Sequence, residues 1–377
     1  MTETISGRLV LDDGEAVGHL HVDDDGRIAA IEPAGTAPRD ALVVPGFIDV
    51  HVHGWGGHDA MGGSEALAGL ARALAARGVT SFLPTSVTAS FEKLTRFADS
   101  VREWIPGAPS DGAEPLGFNM EGPFLAEKKK GAHPADLLRH PEELDDERLA
   151  TFVEGLRIIT IAPELRGAPN LIRRLAKRGV KVSLGHSAAT MPESRAGYDA
   201  GAVTTTHLFN AMSGVVHREP GLALAALLDD AVWVELIADT LHVDPDLWPL
   251  IWNLKPAERV LLVSDAIALA GGGISRGMLG ELEVRVDGDM VTLVEGGNLA
   301  GSVTAMDLEL RNVVRAGIPL VAAVRAAATN PAALLGLDDR GRLAPGQRAD
   351  LVELDADSFA VRRVMRAGEW IVPAQDR

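Results

Sequence analysis

The sequence predicts an α/β fold: a closed (β/α)8 barrel with a small β-sandwich domain built from both chain ends. Three observations carry this. Apolar strand-like runs alternate with amphipathic helical runs through the middle of the chain, which is the pattern of a parallel sheet with right-handed crossovers. There are eight such strands over roughly 290 residues, which favours a closed barrel over an open sheet. Both ends carry short strands, too few at either end to make a stable sheet alone, so the economical arrangement pairs them with each other.

At the start, strands are expected over 7–11, 16–22 and 27–32. They are separated by Asp12-Asp13-Gly14 and Asp23-Asp24-Asp25-Gly26, and Asp-Gly between alternating apolar runs is a hairpin signal. At the end, 350–354, 361–366 and 369–372 read the same way, with Gly368 at a turn. The barrel strands are expected over 44–52, 79–86, 116–121, 158–162, 180–186, 202–207, 232–238 and 260–265. Helical patterns lie between them over 64–77, 91–105, 141–155, 169–178, 191–200 and 244–253. Arg77-Gly78 and Arg178-Gly179 place Gly where helices end. Residues 279–295 read as a hairpin inserted after the eighth strand, around Asp287-Gly288. The division that follows is 1–44 with 341–377 for the small domain and 45–340 for the barrel.

Composition narrows the function. With 377 residues, the chain needs no disulfide or metal to build its core. The 36 Lys and Arg against 53 Asp and Glu give a formal charge of −17, which argues against nucleic acid as a partner. Local cations can still hold an anionic small molecule. There is no cysteine, which removes thiol nucleophiles, thiolate zinc sites and iron–sulfur clusters. Any metal must sit on His, Asp or Glu. The start of the chain lacks the pattern of a secretory signal and no run reaches 18 apolar residues, so no membrane span and a cytoplasmic address are expected.

The histidines decide where to look. Of the 11, His51, His53, His186 and His207 fall at or just past expected strand ends, and His242 follows the seventh strand. Glu121 ends the third strand and Asp265 the eighth. In a (β/α)8 barrel these positions converge on the C-terminal face, where active sites lie. His51 and His53, two apart on a strand, point the same way. Each residue taken singly is as well explained by a solvated strand end, a capping bond or a core hydrogen bond. Together, with Glu121 available, they suit a divalent ion such as zinc or iron. Asp265 beside it suits a general base that later returns the proton. Lys128-Lys129-Lys130-Gly131-Ala132-His133 reads as a solvated loop or as a rim over the site, and Arg218 as a guanidinium able to clamp a phosphate. His19, His21, His58 and His140 are expected at the surface or in packing.

These phrases together resemble the amidohydrolase superfamily. Pro45-Gly46-Phe47-Ile48-Asp49-Val50-His51-Val52-His53-Gly54 and the closing stretch from Asn330-Pro331-Ala332 to Ala349-Asp350 mark the superfamily. Glu121-Gly122-Pro123-Phe124, the Lys-Gly-Ala-His run and His207-Leu208-Phe209-Asn210-Ala211-Met212 are similar to the branch that deacetylates N-acetylglucosamine 6-phosphate in amino-sugar catabolism and cell-wall recycling. The resemblance spans essentially the whole chain and implies roles. Glu121, His186 and His207 would hold the main ion, zinc by preference, and His51 with His53 a second one, so one or two ions per subunit. Asp265 would be the general base and acid, and His242 would polarise the acetamide carbonyl or bind the sugar. Ala132, His133, Asn210, Ala211 and Arg218 would contact the sugar phosphate, with Leu299, Ala300 and Gly301 lining the pocket. It also implies a homodimer in which Arg218 reaches the neighbouring active site. One departure stands out: Asp239-Thr240-Leu241-His242 has Thr where the family usually has Gly. Two other readings compete. A dihydroorotase-like or adenine-deaminase-like hydrolase shares the His-x-His phrase, but the fourth strand ends Ile161-Ala162-Pro163-Glu164, without the lysine of dihydroorotase-like members. A catalytically silent barrel would lack ligands that are all present here.

Overall fold

A computed structural model describes residues 3–372. The eight barrel strands are Phe47–Val52, Val79–Ser86, Phe118–Glu121, Leu156–Ile161, Lys181–Leu184, Ala202–Thr205, Trp233–Leu236 and Val260–Leu262. They pair in chain order and all in parallel. The seam between the first and last strands is bridged beyond their ends: Asp265 N–H donates to His51 O at 2.9 Å and His53 N–H to Ala266 O at 2.8 Å.

The helices follow from amphipathic spacing and caps. Phe91–Trp104 buries Leu94, Phe97, Ala98, Val101 and Trp104 on one face, and Ser90 caps its start by accepting from Lys93 N–H at 3.3 Å. Each of the large side chains contributes about 1.5–3 kcal/mol by leaving water. Met191–Asp199 opens with a capping box, Thr190 against Glu193. The expected single helix over 141–155 is instead a short 3₁₀ turn, Pro141–Glu143, and a helix Asp146–Val153. Asp145 accepts from Arg148 N–H at 2.8 Å and so starts the second piece itself. Helices Leu222–Leu228, Met306–Arg315 and Asn330–Leu335 lie outside the helical stretches that the sequence pattern predicts. The last of these packs Ala332, Leu334 and Leu335 onto interior residues Ile48, Val50, Leu83 and Ile158. Asn330 also donates to Val260 O, so this helix covers the end of the barrel where strands begin.

The chain ends form the small β-domain. Its seven-stranded sheet runs Glu369–Val372, Val361–Arg366, Leu351–Asp355, Ala41–Pro45, Glu3–Leu11, Gly14–Val22, Ile28–Pro33. Ile5, Leu9, Leu20, Val43, Leu351 and Met365 give it a separate core. The expected strand over 44–52 is therefore two strands. Ala41–Pro45 belongs to the small sheet and Phe47–Val52 to the barrel. Gly46 makes the crossing because a Cβ there would lie 2.8 Å or less from the Thr80 side chain.

Two further differences shape the site. Barrel strands five, six and eight stop two or three residues before their expected ends. His186, His207 and Asp265 then turn out of the ladder at φ 46°, 27° and 49°. Such non-glycine left-handed conformations are strained and tend to gather where function requires a side chain to be re-aimed. The expected hairpin over 279–295 is a three-stranded sheet, Arg276–Leu279, Leu282–Asp287 and Met290–Leu293. Its apolar face, with Leu279, Val284 and Val291, packs on Val87, Ala132, Ile267 and Ala300 and so stands over the C-terminal face.

Candidate active site

Strand ends one, three, five, six and eight deliver His51 and His53, Glu121, His186, His207 and Asp265 to one buried cluster. Glu121 lies at its centre. Its Oε1 is 3.0 Å from His186 Nε2, 2.9 Å from His207 Nε2 and 3.7 Å from His51 Nε2, and its Oε2 is 3.3 Å from His53 Nε2. Asp265 Oδ1 is 3.1 Å from His53 Nε2 and 3.4 Å from His51 Nε2. Gly301 lies against Asp265: at φ +65°, a Cβ would sit 3.0 Å from Asp265 O and 2.5 Å from Ile267.

The imidazole tautomers follow from their outer partners. His51 Nδ1 is 3.1 Å from Glu235 Oε2, His53 Nδ1 3.1 Å from Thr85 O and His186 Nδ1 2.8 Å from Lys129 O. Carboxylate and carbonyl oxygens only accept, so each Nδ1 carries the hydrogen and each Nε2 presents a lone pair inward. Facing Nε2 atoms are 3.3 Å apart in His51–His53 and 3.1 Å apart in His186–His207. Lone pairs that close repel unless a proton or a metal cation lies between them. Protons can serve. Burial opposes charge on His53, but its hydrogen bonds to Asp265 and Glu121 push it up to about 9. Burial likewise opposes ionisation of Asp265, but the His51 charge and the His53 hydrogen bond hold it down at about 2. A divalent ion satisfies the same lone pairs and carboxylates at once, and nitrogen with carboxylate oxygen is the donor set such ions take.

His133 also approaches Glu121, Nε2 to Oε2 3.3 Å. Thr88 N–H donates to its Nδ1 at 3.2 Å, so in the neutral ring the hydrogen sits on Nε2. Burial pushes the ring down to about 4, which keeps it neutral. His133 is thus, in the neutral ring, an N–H donor facing Glu121 and the cavity, and its Nε2 stands close to the Glu121 and His186 ligand atoms.

Above the cluster opens a cavity of about 350 Å³. It is lined by Lys128, Lys129, Ala132, His133, Asn210, Ala211, His242, Leu299 and Gly301, together with His53, Glu121, His186, His207 and Asp265. Lys128 and Lys129 therefore stand at the rim of the site, tied to it through Lys129 O, while Lys130 Nζ donates to His133 O at 3.2 Å. His51 and Ala300 lie buried beneath the lining. Arg218 does not line the cavity; it lies on an exposed loop beside Val215 and Val216, which are 55% and 49% exposed.

The loop of the expected departure is intact. Thr240 adopts φ +72°, and Asp239 fastens the turn. Asp239 Oδ1 accepts from the N–H groups of Leu241 and His242 at 2.8 Å each, and Oδ2 accepts from His242 Nδ1–H at 2.7 Å. His242 Nε2 is left for the cavity. A β-branched side chain in the left-handed region costs about 1 kcal/mol or more. Thr240→Gly is expected to raise the Tm by about 1–2 °C; a lowered Tm in thermal unfolding would contradict that strain.

Residues 42–371 match the amidohydrolase family profile. The chain belongs to the amidohydrolase family. It is 41% identical over 360 residues to N-acetylgalactosamine-6-phosphate deacetylase of Escherichia coli O157:H7, spanning 93% of this chain and 94% of that one. It is 38% identical over 346 residues to N-acetylglucosamine-6-phosphate deacetylase of Bos taurus, spanning 88% and 83%. Among solved structures, N-acetylglucosamine-6-phosphate deacetylase of Thermotoga maritima superposes with a TM-score of 0.91 at 33% identity, covering 99% of this chain and 100% of that one. A mutant of the Mycobacterium smegmatis enzyme, solved in complex with N-acetyl-D-glucosamine 6-phosphate, gives 0.91 at 35% identity, covering 98% and 99%.

Several side chains of this amidohydrolase site lie outside the set that the sequence singles out. Glu235 contacts His51. Glu164 accepts from Ser187 Oγ–H at 2.7 Å and Ala188 N–H at 2.6 Å, pinning the turn after His186. Asp49 accepts from Ser264 Oγ–H at 2.5 Å, beside Asp265. A single carboxylate inside an otherwise apolar strand, as in Val234-Glu235-Leu236, was the available signal: such a charge is not buried without a partner. Among the described residues, no helix is long and apolar enough to cross a membrane.

Proposed function

We propose that the protein hydrolyses the acetamide of N-acetyl-D-glucosamine 6-phosphate to D-glucosamine 6-phosphate and acetate. One observation carries the reading. A nitrogen and carboxylate cluster fit for a divalent ion, with Asp265 beside it, floors a cavity rimmed by lysines, in a chain similar over nearly its whole length to deacetylases of N-acetylhexosamine 6-phosphates. Glu121, His186 and His207 would hold the principal ion and His51 with His53 a second, zinc by preference because imidazole nitrogen and carboxylate oxygen are donors it takes. The ion supplies Lewis acidity toward the amide oxygen and acidifies water.

This chain's own groups do the rest. Asp265, ionised by its imidazole neighbours, accepts a proton from the attacking water as the water oxygen bonds to the acetyl carbon. His242, held through Nδ1–H by the Asp239 carboxylate, turns Nε2 to the cavity; as the imidazolium, with a hydrogen on both nitrogens, it donates from Nε2 to the amide oxygen as negative charge develops there. Asp265 then delivers its proton to the sugar nitrogen as the C–N bond breaks. Ala132, His133, Asn210, Ala211, Leu299, Ala300 and Gly301 shape the sugar pocket. Lys128 and Lys129 put positive charge at the rim of an acidic protein, where a phosphorylated sugar arrives.

The catalytic unit is residues 45–340, with 1–44 and 341–377 as the small domain. We assign the enzyme to the cytoplasm and to a homodimer in which Arg218 reaches the partner's active site. Arg218 is exposed outside its own cavity and flanked by exposed Val215 and Val216, as a contact loop would be. Arg218→Ala is expected to raise KM for the sugar phosphate about tenfold with kcat little changed, since a phosphate clamp acts equally on ground and transition states. An unchanged KM in steady-state assays makes Arg218 a bystander.

The function is tested by incubating zinc-loaded protein with N-acetylglucosamine 6-phosphate and measuring acetate and free amine. Equimolar release is expected. No release, with turnover of a cyclic amide instead, would overturn it. The 4-epimer, N-acetylgalactosamine 6-phosphate, belongs in the same assay because the 41%-identical relative bears that name; a higher kcat/KM for it would make it the substrate.

A further inference from the structure

We propose that Glu235 is a positioning residue of the metal cluster: its carboxylate sets the ring of His51 and the backbone of His207, so that both imidazoles meet the ion in ligating form. This rests on the reading of the cluster as a metal site. Glu235 lies in the seventh barrel strand, Trp233–Leu236, opposite Leu261 of the eighth, and is fully buried. Burying a lone carboxylate costs several kcal/mol unless it is paired. No Lys or Arg pairs with it among the described residues. Its Oε2 accepts from His51 Nδ1–H at 3.1 Å and from His207 N–H at 3.2 Å, while Oε1 has no hydrogen-bond partner. Its main-chain carbonyl accepts from Leu208 N–H at 2.8 Å.

One oxygen therefore reaches both halves of the cluster. Toward His51 it keeps the hydrogen on Nδ1 and the Nε2 lone pair inward, and a carboxylate acceptor makes that nitrogen a stronger donor to a metal. Toward His207 it holds the N–H of a residue at φ +27°. The Nδ1 partners of the other inward-facing rings differ. His53 and His186 use main-chain carbonyls, and His207 Nδ1 has none. His51 is the ring backed by a carboxylate, and Glu235 has no other evident reason to be buried there.

The test is zinc affinity, measured by competition with a chromophoric chelator on metal-stripped protein, with thermal unfolding of the stripped form as the fold control. Glu235→Gln, which keeps the shape and loses the charge, is expected to weaken zinc binding about tenfold, and Glu235→Ala up to about 100-fold. In a His51→Asn background, Glu235→Gln should add less than threefold, because the lost charge acts through the His51 ring while the Gln amide oxygen still accepts from His207 N–H. Zinc affinity of Glu235→Gln within threefold of wild type overturns the proposal, as does a tenfold loss that persists in the His51→Asn background. Should Glu235→Ala not fold, Glu235→Gln alone carries the test. Wild-type protein that takes up no zinc overturns the metal-site reading and this inference with it. Uptake by wild type with equal uptake by the variant overturns this inference alone.

Discussion

Asp265→Asn is expected to lower kcat by about 10²–10⁴-fold while the ion on Glu121, His186 and His207 stays in place. The carboxylate has what a general base needs. It is buried, it leaves its strand at φ +49° so that Oδ1 faces the cluster, and His51 and His53 hold it ionised. Asn keeps the size and one oxygen but can neither take the water proton nor return it to the amine. The loss should fall on kcat with KM nearly unchanged, because the proton moves only on the way to the transition state. Turnover near wild type, with metal content verified, would remove Asp265 from the reaction.

Glu121→Ala is expected to abolish tight metal binding and, with it, activity by about 10³-fold or more. Glu121 is the group that both halves of the cluster share, reaching His186 and His207 with one oxygen and His53 with the other. Its carboxyl is held well below the usual range: burial opposes ionisation, but the His51 and His186 charges outweigh it. Removing it leaves imidazoles facing one another without an anion between them. Metal analysis after dialysis checks the first effect and acetate release the second. A variant that keeps a full complement of zinc would show that the histidines suffice.

What the sequence made legible was periodicity and identity at strand ends. Val79–Ser86 is a strand as expected because Val79, Phe82 and Leu83, with the β-favouring Thr80 and Thr85, follow directly on the helix-ending Gly78. The cluster residues were legible because, without cysteine, only histidines and carboxylates remained as ligands and they stood at strand ends. The split at Gly46 was not legible. Residues 41–52 read as one largely apolar stretch across Pro45-Gly46, and the three-dimensional pairing of Val43 with Leu9 and Glu353 assigns its first half to the small sheet. The outer partners escaped for the same reason: Glu235 and Glu164 act through hydrogen bonds to residues on other elements, and spacing along one strand carries no trace of those bonds. Thr240 is the converse. Its chemistry argued against the turn, yet three hydrogen bonds to the Asp239 carboxylate hold the turn in spite of it.

The central claim is that a divalent ion on Glu121, His186 and His207 sits where an acetamide meets Asp265. It is tested most directly by a crystal structure of zinc-loaded Asp265→Asn protein with N-acetylglucosamine 6-phosphate, using anomalous data at the zinc edge. The account predicts a zinc peak about 2.0–2.2 Å from Glu121, His186 and His207, with the acetamide between it and residue 265. Sugar phosphate bound in the cavity with no zinc peak at those three residues would contradict it.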